Sequence, residues 1–187
     1  MNNLSMYNIH RPAMRTGDLL TYRTNGFISN LIHFWSPDNH AGLVLDLDSY
    51  EGLQDRRWTL EAISGGVHLN LLSHVLEKVH GQVFWHALKP EFNDCRPALM
   101  CFGLDQVGAI RYDTKGLLKQ IFGRVSADLE KLFCSEYCFL AWKEAKMVTG
   151  DIAPYPSELA GLGVTLPPVC IVDSGTADPG ELITVQP

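Results

Sequence analysis

His40-Ala41-Gly42-Leu43-Val44-Leu45-Asp46-Leu47 (HAGLVLDL) follows directly on the turn residues Ser36-Pro37-Asp38-Asn39. Its apolar and β-branched content predicts a strand. A period of two puts Ala41, Leu43 and Leu45 on one face and His40, Gly42 and Val44 on the other. After a polar connection, Trp58–Ile63 (WTLEAI) predicts the next strand, with Trp58, Leu60 and Ala62 facing one way and Thr59, Glu61 and Ile63 the other. Upstream, Thr16-Gly17-Asp18 is turn chemistry and Leu19–Tyr22 a short strand; downstream, Gly65-Gly66 precedes a short strand at Val67–Leu69, and Gln82–Leu88 (QVFWHAL) is a further strand.

Helical spacing appears at Phe27–Trp35, at Leu71–Val79, and from a capping Asp94 to about Arg111. It recurs at Thr114–Phe122 and at Cys134–Val148, where Cys134, Cys138, Ala141, Ala145 and Val148 make one apolar stripe that Gly150 terminates. Strands first and helices later predict an α+β fold, a mostly antiparallel sheet packed against helices. Residues 1–165 are expected to form a single domain. Residues 166–187, with Pro167-Pro168 and Asp178-Pro179-Gly180, are expected to form an extended C-terminal tail.

The chain has 187 residues, of which 46% are hydrophobic and 19% charged, a balance that supports a packed core. Its 21 acidic and 15 basic residues give a net charge of −6. With no Lys/Arg run, phosphate-neutralising contact with nucleic acid is not expected. The N-terminal residues contain no apolar run of the signal-peptide kind, and no stretch has the length of a membrane span, so a cytoplasmic protein without an integral membrane segment is expected. The five cysteines form no CxxC pair and the histidines no metal-ligand spacing, so neither a metal nor an organic cofactor is expected.

Three residues carry chemistry. Cys134 opens the last predicted helix, where unpaired N–H groups and the helix dipole favour a thiolate. His40, at the first position of its strand, is suited to accept the thiol proton and return it to a leaving group. Glu61 is a carboxylate inside an apolar strand, placed to orient an imidazole. Cys95, Cys101, Cys138 and Cys170 read as small apolar residues.

The order histidine, acid on the next strand, cysteine opening a helix resembles the circularly permuted branch of the NlpC-type papain-like superfamily. The nearest group is the YiiX/YebB-like cysteine hydrolases, related to the lecithin retinol acyltransferase-like proteins. The matching segments are Gly17-Asp18-Leu19-Leu20, His40-Ala41-Gly42-Leu43-Val44, Leu60-Glu61-Ala62 with Gly66-Val67, Tyr112-Asp113, Phe133-Cys134-Ser135-Glu136 and Tyr155-Pro156-Ser157-Glu158-Leu159. The resemblance implies a permuted papain-like fold with Cys134 as nucleophile, His40 as base and Glu61 as the orienting residue. The retinol-acyltransferase-like branch has a second histidine where this chain has Glu61, which favours the hydrolase group. The Cys134 backbone N–H is expected to meet the oxyanion. Tyr22, Ser135 and Trp35 are expected to contribute to oxyanion or substrate binding.

The function expected is hydrolysis of an amide or ester bond in a peptide, peptidoglycan-type or lipid acyl substrate through an acyl-enzyme. The alternatives are a lipid acyltransferase, and a non-catalytic interaction or virion-associated protein that retains the fold.

Overall fold

The computed structural model describes residues 4–24, 38, 40–48, 50, 52–63, 66–108 and 129–175. The elements in chain order are α1 (Ser5–His10), β1 (Leu19–Thr24), β2 (His40–Asp46), β3 (Arg57–Ile63), β4 (Gly66–Leu71), α2 (Leu72–Leu76) and β5 (Gly81–His86). They continue with α3 (Arg96–Gln106), α4 (Leu129–Glu144), α5 (Pro156–Leu159) and β6 (Val169–Asp173). The six strands form one sheet in the order β4-β3-β2-β1-β5-β6, every neighbour antiparallel. This is the α+β class that strands followed by helices predict. Among the described residues, no helix is long and apolar enough to cross a membrane.

Helices cover both faces of the sheet. Against one face α4 lays Phe139, Ala141 and Trp142 on Leu19, Leu43, Leu45 and Leu60. On the other, Tyr7 of α1 and Leu72 and Leu76 of α2 close over Leu20, Val44, Val83 and Ile171. The first six residues of β2 are therefore all buried. The alternation read from HAGLVLDL is present, but its second face is a second core rather than an outside, because α1 and α2 bring their own apolar stripes to it.

The β1 end of the sheet is tied down by Asp18, whose side chain is 1% exposed. One carboxylate oxygen accepts from Trp85 Nε1 at 2.8 Å and from the Arg15 N–H at 3.0 Å. The other accepts from the Leu88 N–H at 3.0 Å and Arg96 Nη1 at 2.8 Å. A buried charge is tolerated when its lone pairs are filled in this way. The preceding Gly17 sits at φ +88°, with Leu99 packed where a Cβ would project, so the turn admits only glycine.

Some sequence expectations are corrected. α4 begins at Leu129, five residues before the expected start at Cys134, because Leu129-Glu130-Lys131-Leu132 are good helix formers with no breaker among them. It ends at Glu144, ahead of Gly150, where Lys146 takes a left-handed conformation at φ +58°. The helix expected from Asp94 is preceded by a 3₁₀ turn, Pro90–Cys95, and α3 starts at Arg96. The helix expected over Leu71–Val79 is confined to Leu72–Leu76. The segment expected as a tail from residue 166 supplies β6, which pairs Gln82–Trp85 of β5. The helices expected at Phe27–Trp35 and Thr114–Phe122 lie outside the described residues.

Replacing Asp18 with alanine leaves the indole N–H, the Leu88 N–H and the Arg96 guanidinium without their acceptor. The expected loss is about 3 kcal/mol or more of unfolding free energy, read from urea denaturation. A loss below about 1 kcal/mol would contradict this account of the anchor.

Candidate active site

The strand register assembles the site. β1 pairs with β2 so that Tyr22 lies opposite His40, and their rings sit 5.2 Å apart at 46°. β2 pairs with β3 through Leu43 and Leu60, and one step further along sets Gly42 across from Glu61. A Cβ at Gly42 would come within 3.1 Å of Glu61 Cγ and 3.0 Å of Thr59 Oγ1. The missing side chain gives the Glu61 carboxylate room to lie across the strand.

Glu61 Oε1 accepts the Tyr22 hydroxyl at 2.7 Å and the Thr59 hydroxyl at 3.3 Å. The same oxygen stands 3.8 Å from His40 Nε2, an ion-pair distance rather than a hydrogen bond. The His40 and Glu61 side chains are 10% and 8% exposed. Burial pulls the His40 pKa down. The negative charge of Cys134, a hydrogen bond with its side chain and the neighbouring Glu61 carboxylate outweigh burial and push it up to about 10. Burial pushes Glu61 up, but His40 and the hydroxyls of Tyr22 and Thr59 hold its pKa below the usual value. Tyr22 is raised well above a normal phenol, first by burial and then by Glu61, so its hydroxyl remains a donor.

His40, Glu61 and Cys134 are thus brought together from β2, β3 and α4. Cys134, however, is the sixth residue of its helix and is fully buried. That position lies beyond the first four unpaired N–H groups of a helix, so its backbone N–H belongs to the helical ladder and not to an oxyanion. Cys138, one turn on, is held as a thiol by burial, then by the negative charges of Cys134 and Glu61. Tyr22 belongs to the site, but its hydroxyl is committed to Glu61 rather than offered to an oxyanion. Ser135 is fully buried, and Glu136, also buried, is pushed up to about 7 by burial alone. Trp35, with Phe27 and Phe34, lies outside the described residues.

A cavity of about 370 Å³ opens on this cluster, lined by Tyr22, His40 and Glu61 together with His74, Val75 and Lys78. Cys134 does not line it. Sequence reasoning expected a helix here, over Leu71–Val79, but gave His74 and Lys78 no role. The signal was the spacing of four between His74 and Lys78, which puts both on one side of a helical turn.

The pKa shifts fix a pH dependence. His40, raised in the folded state, stabilises the fold fully below its unfolded value of 6.5, and this is lost as pH rises through about 10. Glu61, lowered in the folded state, contributes fully above its unfolded value of 4.5, and this is lost as pH falls through its folded value. The stability difference between wild type and His40→Asn is expected to shrink steadily from about pH 6.5 to 10, measured by urea denaturation. The His40 ring is expected to keep its imidazolium NMR shifts at pH 8, and Glu61→Gln to lower its titration midpoint; a ring that is neutral by about pH 7.5 would contradict the coupling. No family model matches the chain, and no curated protein was found to match it.

Proposed function

We propose that the chain is a thiol hydrolase of amide or ester bonds, with Cys134 as nucleophile, His40 as base and Glu61 as the residue that orients the imidazole. The observation that carries this reading is the buried His40–Glu61 pair at 3.8 Å, whose imidazole is raised by the neighbouring Cys134. The chain order of these residues matches the permuted NlpC-type papain-like resemblance, and the antiparallel sheet with a cysteine-bearing helix is compatible with that fold.

In the proposed reaction His40 holds the proton of Cys134, and the thiolate attacks the carbonyl carbon. Collapse of the tetrahedral intermediate breaks the bond to the amine or alcohol, which leaves with the proton from His40. Water, deprotonated by His40, then attacks the thioester and releases the carboxylic acid, restoring the thiol. Glu61, charged and held by Tyr22 and Thr59, keeps Nε2 facing it and stabilises the imidazolium in each step. Transfer to an acceptor other than water gives the acyltransferase variant of the same chemistry. Because Cys134 is fully buried, the cycle includes a local opening that admits substrate from the cavity beside His40.

That same burial is the observation favouring a second reading, a non-catalytic binding protein that retains the fold. The two readings separate in solution. For the hydrolase, Cys134 of the native protein is alkylated by iodoacetamide faster than Cys138, and one member of a panel of muropeptides and mixed acyl lipids is turned over. Cys134→Ser then loses at least about 10³-fold in kcat/KM. An inert Cys134 with no turnover across the panel favours the binding protein.

A further inference from the structure

The cavity carries more than His40 and Glu61, the two residues of the proposed chemistry that line it. Glu61, His40, His74 and Lys78 are its acidic and basic lining groups. The Glu61 carboxylate is committed to His40, Tyr22 and Thr59. Among the described residues Lys78 makes no ion pair, and no acidic side chain besides Glu61 lines the cavity. His74 sits four positions earlier, and the backbone keeps turning helically between them: the Lys78 N–H donates to the Val75 carbonyl at 3.1 Å. An ammonium and an imidazole therefore share one side of the turn. Asn70 adds an amide, and Ile63, Val75 and Val79 make the rest of the surface apolar.

Together these groups suit an apolar stem ending in a negative charge. We propose that the cavity beside His40 is the subsite for a short acyl or amide unit bearing a carboxylate, which pairs with Lys78 and accepts hydrogen bonds from His74 and Asn70. The proposal rests on the hydrolase reading for its orientation, with the scissile carbonyl at the His40 end. Size supports a compact unit: about 370 Å³ lies near the lower end of ligand cavities, which run from about 300 to 1,000 Å³. Charge supports a carboxylate over a phosphate. Among the described residues no arginine lines the cavity and one lysine does, and the five-residue α2 is too short to add a helix terminus as an anion site.

The test compares two esters of equal chain length on the full chain: the mono-4-nitrophenyl ester of glutarate, which carries a free carboxylate, and 4-nitrophenyl valerate, which does not. Each would acylate Cys134 with loss of 4-nitrophenolate, and water would then release glutarate or valerate. The expected result is a kcat/KM ratio favouring the anionic ester by ~10-fold, falling toward one in Lys78→Gln and retained in Lys78→Arg. An unchanged ratio in Lys78→Gln, or a preference for valerate, would overturn the proposal.

A binding arm separates this inference from the hydrolase reading. Glutarate is titrated into ¹⁵N-labelled Cys134→Ser protein, and the Val75, Lys78 and Val79 amides are followed. Shifts that Lys78→Gln abolishes, with neither ester turned over by wild type, keep the anion subsite and remove the hydrolase. Millimolar glutarate without effect removes the subsite. Tighter binding of n-butyl phosphate than of glutarate overturns the carboxylate assignment.

Discussion

The pairing of β1, β2 and β3 is the constraint on which the rest of the site depends. Tyr22 reaches Glu61 because Tyr22 and His40 are opposed across one pair of strands and Gly42 and Glu61 across the next. A slip of one residue in either register would part Glu61 from Tyr22 and His40. The register has its own anchor at the opposite end of β1. There Gly17 N–H donates to Val44 O at 2.9 Å and Val44 N–H to Asp18 O at 2.8 Å, while the Asp18 side chain gathers Trp85, Leu88 and Arg96. A turn that admits only glycine and a buried carboxylate thus hold the strands that align an imidazole several residues away.

Covering both faces of the sheet gives the cluster its electrostatic character. With α1 and α2 absent, His40 and Glu61 would face water and interact weakly. Under the second core they lose hydration, and burial opposes the charge on each. The arrangement persists because the opposite charges offset that penalty and the hydroxyls of Tyr22 and Thr59 satisfy Glu61 Oε1. Tyr22 serves in two ways: its ring packs against His40, and its hydroxyl, held neutral by burial, donates to the carboxylate that His40 faces.

The strands were legible because a period of two survives in β2, β3 and β5 whatever covers them. The identity of the covering was not, since α1 and α2 are short and the second core exists only once they fold back. β6 read as a tail because Pro167-Pro168 precedes it and its partner, β5, lies more than eighty residues upstream, a pairing that no local pattern reveals. The start of α4 was missed for a different reason: the apolar stripe beginning at Cys134 is conspicuous, whereas Asp128, of a type that caps helices and directly before Leu129, was not read as a start. Of the site residues, His40, Glu61 and Cys134 were legible as chemical types, and their meeting follows from register. The space at Gly42 depends on three-dimensional proximity alone, and His74 and Lys78 have only their spacing of four as a signal.

The two cysteines of α4 show how one position is singled out on an apolar stripe. Cys134 and Cys138 are both fully buried and lie one turn apart, so exposure does not distinguish them. What differs is the partner. Cys134 neighbours His40 and raises its imidazole. At Cys138 burial, then the negative charges of Cys134 and Glu61, outweigh a backbone hydrogen bond and hold its proton in place. Of the two sulfurs, Cys134 is the one beside the imidazole. A helix dipole cannot make that choice, because Cys134 lies past the first turn and both residues sit in continuous helix. The apolar stripe that makes Cys134 look like an ordinary core residue is also what keeps its neighbour inert, leaving a single sulfur within reach of a base.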